Sequence, residues 1–344
     1  MADVAAEHEA ITRLLAEGFP DLSSTAIDQR LAAQYLSNPA GPAECVVLEV
    51  VGSGELVGTQ GLVHRHFESA TGAINAAVMA DYMIRPAHRA LGPALQLLKS
   101  AVAHAQKRGG FLYGFPNVKA GVVFARAGLA PRVQMTRYAN LIRSDATIRR
   151  RLAPAYRGLA RGAAAVVNVA LALRHLVSRR SGSAVLSWTE PKVFGEEFDE
   201  LWSASERAGL VTGVRSARML AWRYPAVTSR RIAVARRGAN GSPIGYVVWS
   251  VVDRLISIHD VWCARPAQDL TTLLVGFVDG VRRTPAEAVY LEFAGPPTLS
   301  SAVRRAGFVP RETLPVHLVV AAGPHTAESL ASSLYLTGFD RDTD

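Results

Sequence analysis

Cysteine, long apolar runs and an export signal are what this chain lacks. It has two cysteines in 344 residues, Cys45 and Cys263, far apart and each in apolar surroundings. Two such residues do not make a disulfide framework, so they predict buried, reduced thiols in a cytoplasmic protein. No run reaches the roughly 18 to 20 apolar residues that span a bilayer. The first residues also lack the basic start and apolar stretch of a secretory signal, so we expect no export.

Acidic residues are scarce in one segment. Between Arg143 and Arg180 the chain has nine arginines and one acid, Asp145, so this segment holds most of the net charge of +9. Its centre, Ala163–Leu173, is apolar apart from one asparagine. Such a helix lies flat on an anionic membrane, or it packs between two domains with its arginines in water. Nucleic-acid binding is disfavoured because no aromatic residues interleave with the arginines of the apolar helix.

The remaining composition is that of a folded protein with a large core. Hydrophobic residues make up 49% of the chain and charged residues 19%, which argues against disorder. A chain of 344 residues is too long for one ordinary core, so we predict two domains.

The most informative stretch is Ala76–Arg108, which predicts a strand, a tight turn and a helix. Apolar residues recur at helical spacing after the turn, and Gly109 follows two basic residues at the expected end. Pro93 suits the first helical position. In the turn, the small residues Gly92 and Ala94 let an anion approach the backbone, and the free N–H groups of the first helical turn favour phosphate.

Two motifs in this order resemble the GNAT superfamily of acyl-CoA N-acyltransferases. The turn follows that family's pattern of Arg/Gln-x-x-Gly-x-Gly/Ala, from Arg89 to Ala94. Downstream, Asn117, Phe124 and Gly128 have the spacing of the family's fifth strand and fourth helix. The resemblance covers most of residues 1–142. It implies that acyl-CoA, here acetyl-CoA, binds between the fourth and fifth strands, and that an amine attacks the thioester directly, without a metal or a covalent enzyme intermediate.

The resemblance also implies a set of contacts with the cosubstrate. The backbone of the turn would hold the pyrophosphate, two strand residues would pair with the pantetheine, and the fifth strand and fourth helix would complete the site. These residues are Arg89, Ala90, Leu91, Gly92 and Ala94 for the pyrophosphate, Met83 and Ile84 for the pantetheine, and Asn117 and Phe124 for the rest.

The acid and base of the reaction are less sharply indicated. Asp81, on the fourth strand, is our first candidate for the general base; the alternative is that it hydrogen-bonds a neighbouring loop. Many family members have a tyrosine at the position of Phe124 that protonates the leaving thiolate. Its absence here predicts weak activity, a different acid such as Tyr113 or Tyr138, or a protein that only binds. His64 and His66 share a face of the third strand and are candidates for acceptor binding.

The second half repeats the order of the first without its phosphate turn. Helices, a hairpin, a strand, a helix, a strand, a helix and a strand follow from about residue 185. Where the turn belongs, Arg265–Thr271 has no glycine, and Asp269 would repel a pyrophosphate. We therefore expect one acyl-CoA site, in the first half.

The resulting fold prediction is an α/β (α+β) protein of the tandem bacterial GNAT type. It has two GNAT-like domains, each a mixed, mostly antiparallel sheet flanked by helices. The predicted divisions are the acyl-CoA domain (1–142), a basic helical connector (143–184), a degenerate domain (185–330) and a tail (331–344), whose last residues, Asp340–Asp344, are expected to be frayed. Locally, residues 8–36 predict two helices, the second capped by Ser24 or Thr25, and Gly52–Gly54 joins a hairpin.

The predicted function is transfer of an acetyl or similar acyl group from acyl-CoA to a small-molecule amine. An amino sugar of a surface-glycan pathway is the leading acceptor, by association with similar tandem proteins. The alternative is a non-catalytic CoA-binding or scaffold protein. For either, we expect a cytoplasmic protein, with peripheral contact to the inner membrane face if the connector lies on anionic lipid.

Overall fold

The computed structural model describes residues 1–144, 148, 160–181, 186–225, 230–238 and 241–342. The predicted elements of the first half are present. They are α1 (His8–Gly18), α2 (Ser24–Leu31) with a π-helical extension (Ala32–Leu36), β1 (Glu44–Glu49), β2 (Leu56–Ser69), β3 (Gly72–Ile84), a 3-10 turn (Pro86–His88), α3 (Leu91–Arg108), β4 (Phe111–Gly114), α4 (Val118–Arg126) and β5 (Ala130–Leu141).

Two helix starts differ from those predicted. The cap of α2 is Ser23 rather than Ser24 or Thr25, because its hydroxyl accepts from the Ala26 N–H. Helix α3 begins at Leu91, so Pro93 is its third residue and not its first. Proline fits there equally well, since the N–H groups of the first turn have no partner within the helix.

The second half begins with the connector helix and ends at a short strand. Its elements are α5 (Ala160–Ser181), β6 (Leu186–Thr189), α6 (Glu196–Ser203), β7 (Val211–Gly213), α7 (Ala217–Arg223), β8 (Arg231–Arg237), β9 (Pro243–Val252), β10 (Leu255–Cys263), α8 (Pro266–Val281), β11 (Ala288–Phe293), α9 (Pro297–Arg305), β12 (Val309–Val320), α10 (Ala327–Ser333), β13 (Leu334–Tyr335) and a 3-10 turn (Gly338–Asp340).

The strands of both halves join in one continuous sheet. Its order is β13-β7-β2-β3-β4-β12-β5-β11-β10-β9-β8-β6, and β1 pairs with β2 as the predicted hairpin. The sheet is mixed and mostly antiparallel, with parallel pairing where β3 meets β4, β10 meets β11 and β13 meets β7. The predicted fold class is confirmed.

The halves are joined because each lends a strand to the other. Strand β12, from the second half, lies between β4 and β5 of the first, and β5 in turn lies between β12 and β11. Each half therefore completes its sheet only when the other is folded beside it.

Helix α3 is fixed over the first half by its apolar face. The buried residues are Ala94, Leu97, Leu98, Ala101 and Val102, and they pack with residues of β2, β3 and β4. Burial of each leucine stabilises the packing by about 1.5 to 3 kcal/mol. Because β3 and α3 are both held in this way, the turn between them has a defined position.

The connector helix α5 packs against the second half. Asn168 accepts from the Ser144 N–H and hydroxyl, Arg174 donates to the Gly307 carbonyl oxygen, and His175 contacts Asp279. These contacts place one face of the helix on the second half; the interdomain alternative, in which the helix packs against both domains, stays a prediction. Residues 145–147 and 149–159 of the connector lie outside the described residues.

The predicted frayed tail is wrong. Tyr335, Phe339 and Asp340 are at most 1% exposed, and their segment crosses the second half to reach the first. The two cysteines are free and buried, as expected. Among the described helices, none is long and apolar enough to cross a membrane.

Candidate functional site

The central feature of the first half is a cleft between two parallel strands. Strands β3 and β4 pair only from Ala76–Val78 to Phe111–Tyr113. From Met79 onward, the edge of β3 that faces β4 has no strand partner among the described residues. The two strands thus separate after a short parallel pairing. The backbone N–H and C=O groups on this edge of β3 are open to an extended amide ligand.

A β-bulge in β3 shapes the mouth of the cleft. Thr59 pairs with Met83 and Gly61 with Ala80, so Asp81 and Tyr82 face a single residue of β2. Asp81 has a φ of 53°, in the left-handed region that few non-glycine residues occupy. The extra residue bends the strand, and both residues line the opening: the Asp81 carboxylate meets Arg30 and Tyr35, and the Tyr82 ring meets Phe124.

A cavity of about 180 Å³ lies at this point. It contains polar groups from three distant parts of the chain. Its lining includes Phe19, Arg30, Met79, Asp81, Tyr82, Phe115, Asn117, Phe124 and Asp342.

Asp81 is held in place on one side of the cavity. Its carboxylate accepts from Arg30 Nε and from the Tyr35 hydroxyl, each at 2.8 Å. Burial raises the pKa of Tyr35 well above its ordinary value, so this hydroxyl stays protonated and donates. The alternative interpretation of Asp81, a structural hydrogen bond to a neighbouring element, thus describes its contacts, although it also lines the cavity.

A second carboxylate comes from the C-terminal segment. Asp342 lines the same cavity, and its backbone oxygen accepts from Arg30 Nη2 at 3.0 Å and from Gln34 Nε2 at 3.3 Å. Burial raises the pKa of the Asp342 carboxyl above its usual range. A raised pKa makes this carboxylate a better proton acceptor than a solvated one. No local sequence signal points to this residue, since 312 positions separate it from Arg30.

The predicted phosphate turn presents fewer free donors than expected. The N–H groups of Arg89, Ala90 and Ala94 donate to the carbonyls of Pro86, His88 and Ala90. Those of Leu91 and Gly92 donate to no described residue and point out of the first turn of α3. Apart from its chain neighbours and the backbone of its own helix, no atom lies within 4 Å of where a Cβ on Gly92 would stand. Space, two N–H groups and the helix dipole therefore favour an anion here.

The other predicted cosubstrate residues lie along the cleft. Met83 and Ile84 pair with Thr59 and Gly58 of β2, and their opposite edge is the open one. Asn117 lines the cavity and also caps α4, since its side-chain oxygen accepts from the Ala120 N–H at 2.9 Å.

The placement of Tyr113 does not suit an acid that protonates a thiolate. It is 0% exposed, and its hydroxyl donates to the Asp340 carbonyl oxygen at 2.8 Å. Tyr138 is also buried, within the core of the second half. Tyr82 is better placed, because it lines the cavity with its ring edge-to-face on Phe124, the centroids 5.9 Å apart. Burial raises the pKa of Tyr82, so its hydroxyl keeps its proton.

His64 and His66 lie away from this cavity. They line a separate cavity of about 200 Å³ with Glu44, Asn75 and Arg108. His64 pairs with Ala77, four residues before Asp81, which corresponds to roughly 13 Å along the strand. Their predicted role in acceptor binding at the acyl-CoA cleft is therefore not supported by their position.

The matching cleft of the second half is filled by its own chain. Strands β10 and β11 pair in parallel over Leu255–Ile258, and the segment from Leu334 to Asp340 then lies against them. Tyr335 contacts the Val261 oxygen, and Thr337 donates to Asp260 at 2.6 Å. At the start of α8, Asp269 is bound by Arg265 and Arg237. A carboxylate of the protein itself thus stands near the anion position.

Comparison with known proteins gives similarity of structure rather than of sequence. No family model matches the chain, and no curated protein is significantly similar to it.

Solved structures from three organisms are similar over most of this chain. A protein of unknown function from Enterococcus faecalis, described as a probable N-acyltransferase, has a TM-score of 0.65 and 12% identity, with 93% of this chain and 71% of that one covered. GCN5-related N-acetyltransferases from Anabaena variabilis and Kribbella flavida have TM-scores of 0.61 and 0.59 and identities of 11% and 14%. In each case the match covers 92% of this chain, and it covers 70% of the Anabaena chain and 69% of the Kribbella chain. At such identities the likeness establishes the fold: this chain has the fold of the GCN5-related N-acetyltransferases, with its strand–turn–helix unit present twice.

Proposed function

We propose that the protein is an acyl-CoA-dependent N-acyltransferase with one active site, in the cleft between β3 and β4. The observation that carries the proposal is the alignment of three features on one path. These are the free N–H groups of Leu91 and Gly92, the open edge of β3, and the cavity that holds Asp81, Tyr82 and Asp342. Acyl-CoA would bind with its pyrophosphate at α3, its pantetheine on the open edge and its thioester at the cavity.

The cavity supplies the groups that the transfer needs. The amine nitrogen attacks the thioester carbonyl carbon, the C–S bond breaks, and the thiolate leaves. Asp342, whose pKa is raised by burial, accepts the proton that the amine loses. Tyr82 donates a proton to the thiolate, in place of the tyrosine that Phe124 replaces. The Asp81 carboxylate, which accepts from Arg30 and Tyr35, attracts the ammonium form of the acceptor, which gives one proton to solvent before the attack.

The acceptor is a small amine, with an amino sugar as the leading candidate. Two carboxylates face a cavity of about 180 Å³, which favours a cation of modest size. A sugar amine offers that charge, and its hydroxyls match the polar groups of Asn117 and Arg30. The acyl group is acetyl or one of similar size, since Phe124 and Met79 close the cavity beside the strands.

Calorimetric titration with acetyl-CoA tests the site. Gly92→Glu places a carboxylate at the second position of α3, and we expect the affinity to fall about a hundredfold or more through repulsion of the pyrophosphate. Ala267→Glu is the matched control, because Ala267 is the exposed second residue of α8. It should bind acetyl-CoA as the wild type does. Equal loss in both variants would place the site elsewhere.

A CoA-binding or scaffold function without catalysis is the second candidate. Phe124 favours it, because the usual tyrosine is missing there, and so does the engagement of Asp81 by Arg30 and Tyr35. Release of free CoA thiol from acetyl-CoA with glucosamine or another amine would exclude this candidate. Tight binding without turnover over a broad amine panel would favour it.

A further inference from the structure

The connector helix α5 presents an apolar stripe to solvent. Its inner face is fixed by Ser144, Gly307 and Asp279, as described above. On the opposite side lie five large apolar side chains with exposed fractions of 53% to 72%, which are Val166, Val169, Leu173, Leu176 and Val177. From Val166 to Leu176 they recur every three or four residues, and Val177 follows Leu173 by four, so they form one line about 16 Å long. Exposed apolar residues that form a continuous patch indicate an interaction surface.

The charge of the helix itself is of one sign. Residues 160–181 include four arginines and no acid. Arg180 is exposed in line with the stripe, whereas at its flanks Arg174 donates to the Gly307 carbonyl oxygen and Arg179 pairs with Asp279 at 3.1 Å. Near the start of the helix, Arg143 donates to the Arg282 carbonyl, and the positive charge of Arg143 adds to burial in lowering the pKa of Arg282. The surface thus gathers positive charges beside apolar side chains.

A second copy of the chain does not fit this surface well. Symmetric pairing through α5 would bring the arginines of two copies together. The stripe also has five large side chains, whereas a stable interface has about 20 to 30 residues on each side. An anionic membrane avoids both difficulties, the repulsion between arginines and the small number of contact residues. Its headgroups complement the arginines, and its acyl boundary accepts the apolar side chains of a helix lying in the plane.

We propose that α5 is a membrane-surface anchor, which inserts its apolar stripe among anionic lipids while its inner face stays packed on the second half. The anchor holds the molecule with α5 parallel to the bilayer. It is independent of the acyl-CoA site, because α5 contacts residues of the second half and of the segment after β5.

Co-sedimentation with lipid vesicles tests the anchor. We expect the wild type to bind vesicles of phosphatidylcholine mixed with phosphatidylglycerol, more weakly at high salt, and to bind phosphatidylcholine alone poorly. The double variant Val169→Glu/Leu173→Glu should bind about a hundredfold less. Arg180→Glu should lose roughly tenfold. Val51→Glu is the matched control, since Val51 is 99% exposed at the hairpin tip, and it should bind normally.

Thermal unfolding of each variant checks that the fold is intact without reference to acetyl-CoA. Absence of wild-type binding to the anionic vesicles would overturn the anchor, as would full binding by the double variant. Suppose that sedimentation velocity shows a concentration-dependent dimer of the wild type and only a monomer of the double variant. This result would overturn the membrane anchor in favour of a second copy of the chain as the partner. Loss of acetyl-CoA binding would not affect it.

Discussion

The two halves contain the same unit in opposite states. In each, a strand pairs in parallel for a few residues, separates from its neighbour, and leads through an Arg-Pro pair toward a helix. Asp81 follows the parallel pairing in the first half, and Asp260 follows it in the second. Asp81 faces a cavity, whereas Asp260 is 0% exposed under the C-terminal segment. The second cleft is therefore filled by the protein's own chain, whereas the first leaves space for a ligand.

The segment that fills the second cleft brings buried charged groups together with partners. Asp260 accepts from Arg215, from the Tyr246 hydroxyl and from Thr337, and Arg215 also binds Asp340 at 2.9 Å. Buried charges need such partners, because isolated ones are too costly. The same segment continues to Asp342 in the first half. What closes one cleft thus supplies a carboxylate to the other.

Arg215→Met should break this arrangement with the largest effect. Asp260 and Asp340 would remain buried without their cation, so we expect a loss of about 3 to 5 kcal/mol in the free energy of unfolding. Urea denaturation measures it. Arg304→Met is the control, because Arg304 is exposed and contacts only Ser301 among the described residues. A loss below about 1 kcal/mol in Arg215→Met would mean that the C-terminal segment is held by its apolar residues alone.

Arg215→Met also separates the clefts functionally. If the C-terminal segment loosens, Asp342 leaves the cavity, yet the donors at Leu91 and Gly92 are untouched. We expect turnover to fall while the affinity for acetyl-CoA, measured where the variant is folded, is retained. Parallel loss of both would show that the two clefts depend on each other through the shared sheet.

Asp342→Asn tests the proton acceptor, with a smaller effect on stability. We expect kcat/KM to fall about a hundredfold to ten-thousandfold at neutral pH. In the wild type, activity should decline as pH falls through the pKa of Asp342, which burial raises, because the protonated carboxyl cannot accept a proton. The asparagine variant should lack this acidic limb. If Asp342→Asn keeps it and Asp81→Asn loses it, Asp81 is the base.

The local elements could be predicted from the sequence, and the long-range ones could not. The unit Ala76–Arg108 depends on patterns within about thirty residues, and the repeat in the second half was visible for the same reason. The exchange of β5 and β12 between the halves cannot be predicted locally, since each strand would have the same sequence pattern in a separate sheet. Likewise, nothing in an alternating acidic tail shows that Asp340 meets Arg215 and that Asp342 enters the other half.

For the candidate site, the sequence predicts those features that the backbone alone decides. Gly92 and Leu91 needed only a helix start with space above it. The predicted role of Tyr113 is wrong because the direction of a strand side chain depends on the register of the strand. The predicted role of His64 fails because it depends on how far along the strand the residue lies. The bulge that turns Tyr82 toward Phe124 is a local departure from alternation. The only sequence feature that points to Tyr82 as a site residue is that it follows Asp81 directly.

The smallest predicted effects concern the pair Tyr82 and Phe124. A CoA thiol leaves as a thiolate without much help near neutral pH, so Tyr82→Phe should lower kcat only about tenfold and leave acetyl-CoA affinity unchanged. Phe124→Tyr adds a hydroxyl beside the same ring, 5.9 Å between centroids, and should also leave the affinity unchanged. In the double variant Tyr82→Phe/Phe124→Tyr, the hydroxyl moves from one ring to the other, so we expect kcat to recover. Steady-state kinetics with a single amine measures all three. Recovery of kcat would show that a hydroxyl on either ring can protonate the thiolate. Equal rates in all variants would show that water protonates the thiolate.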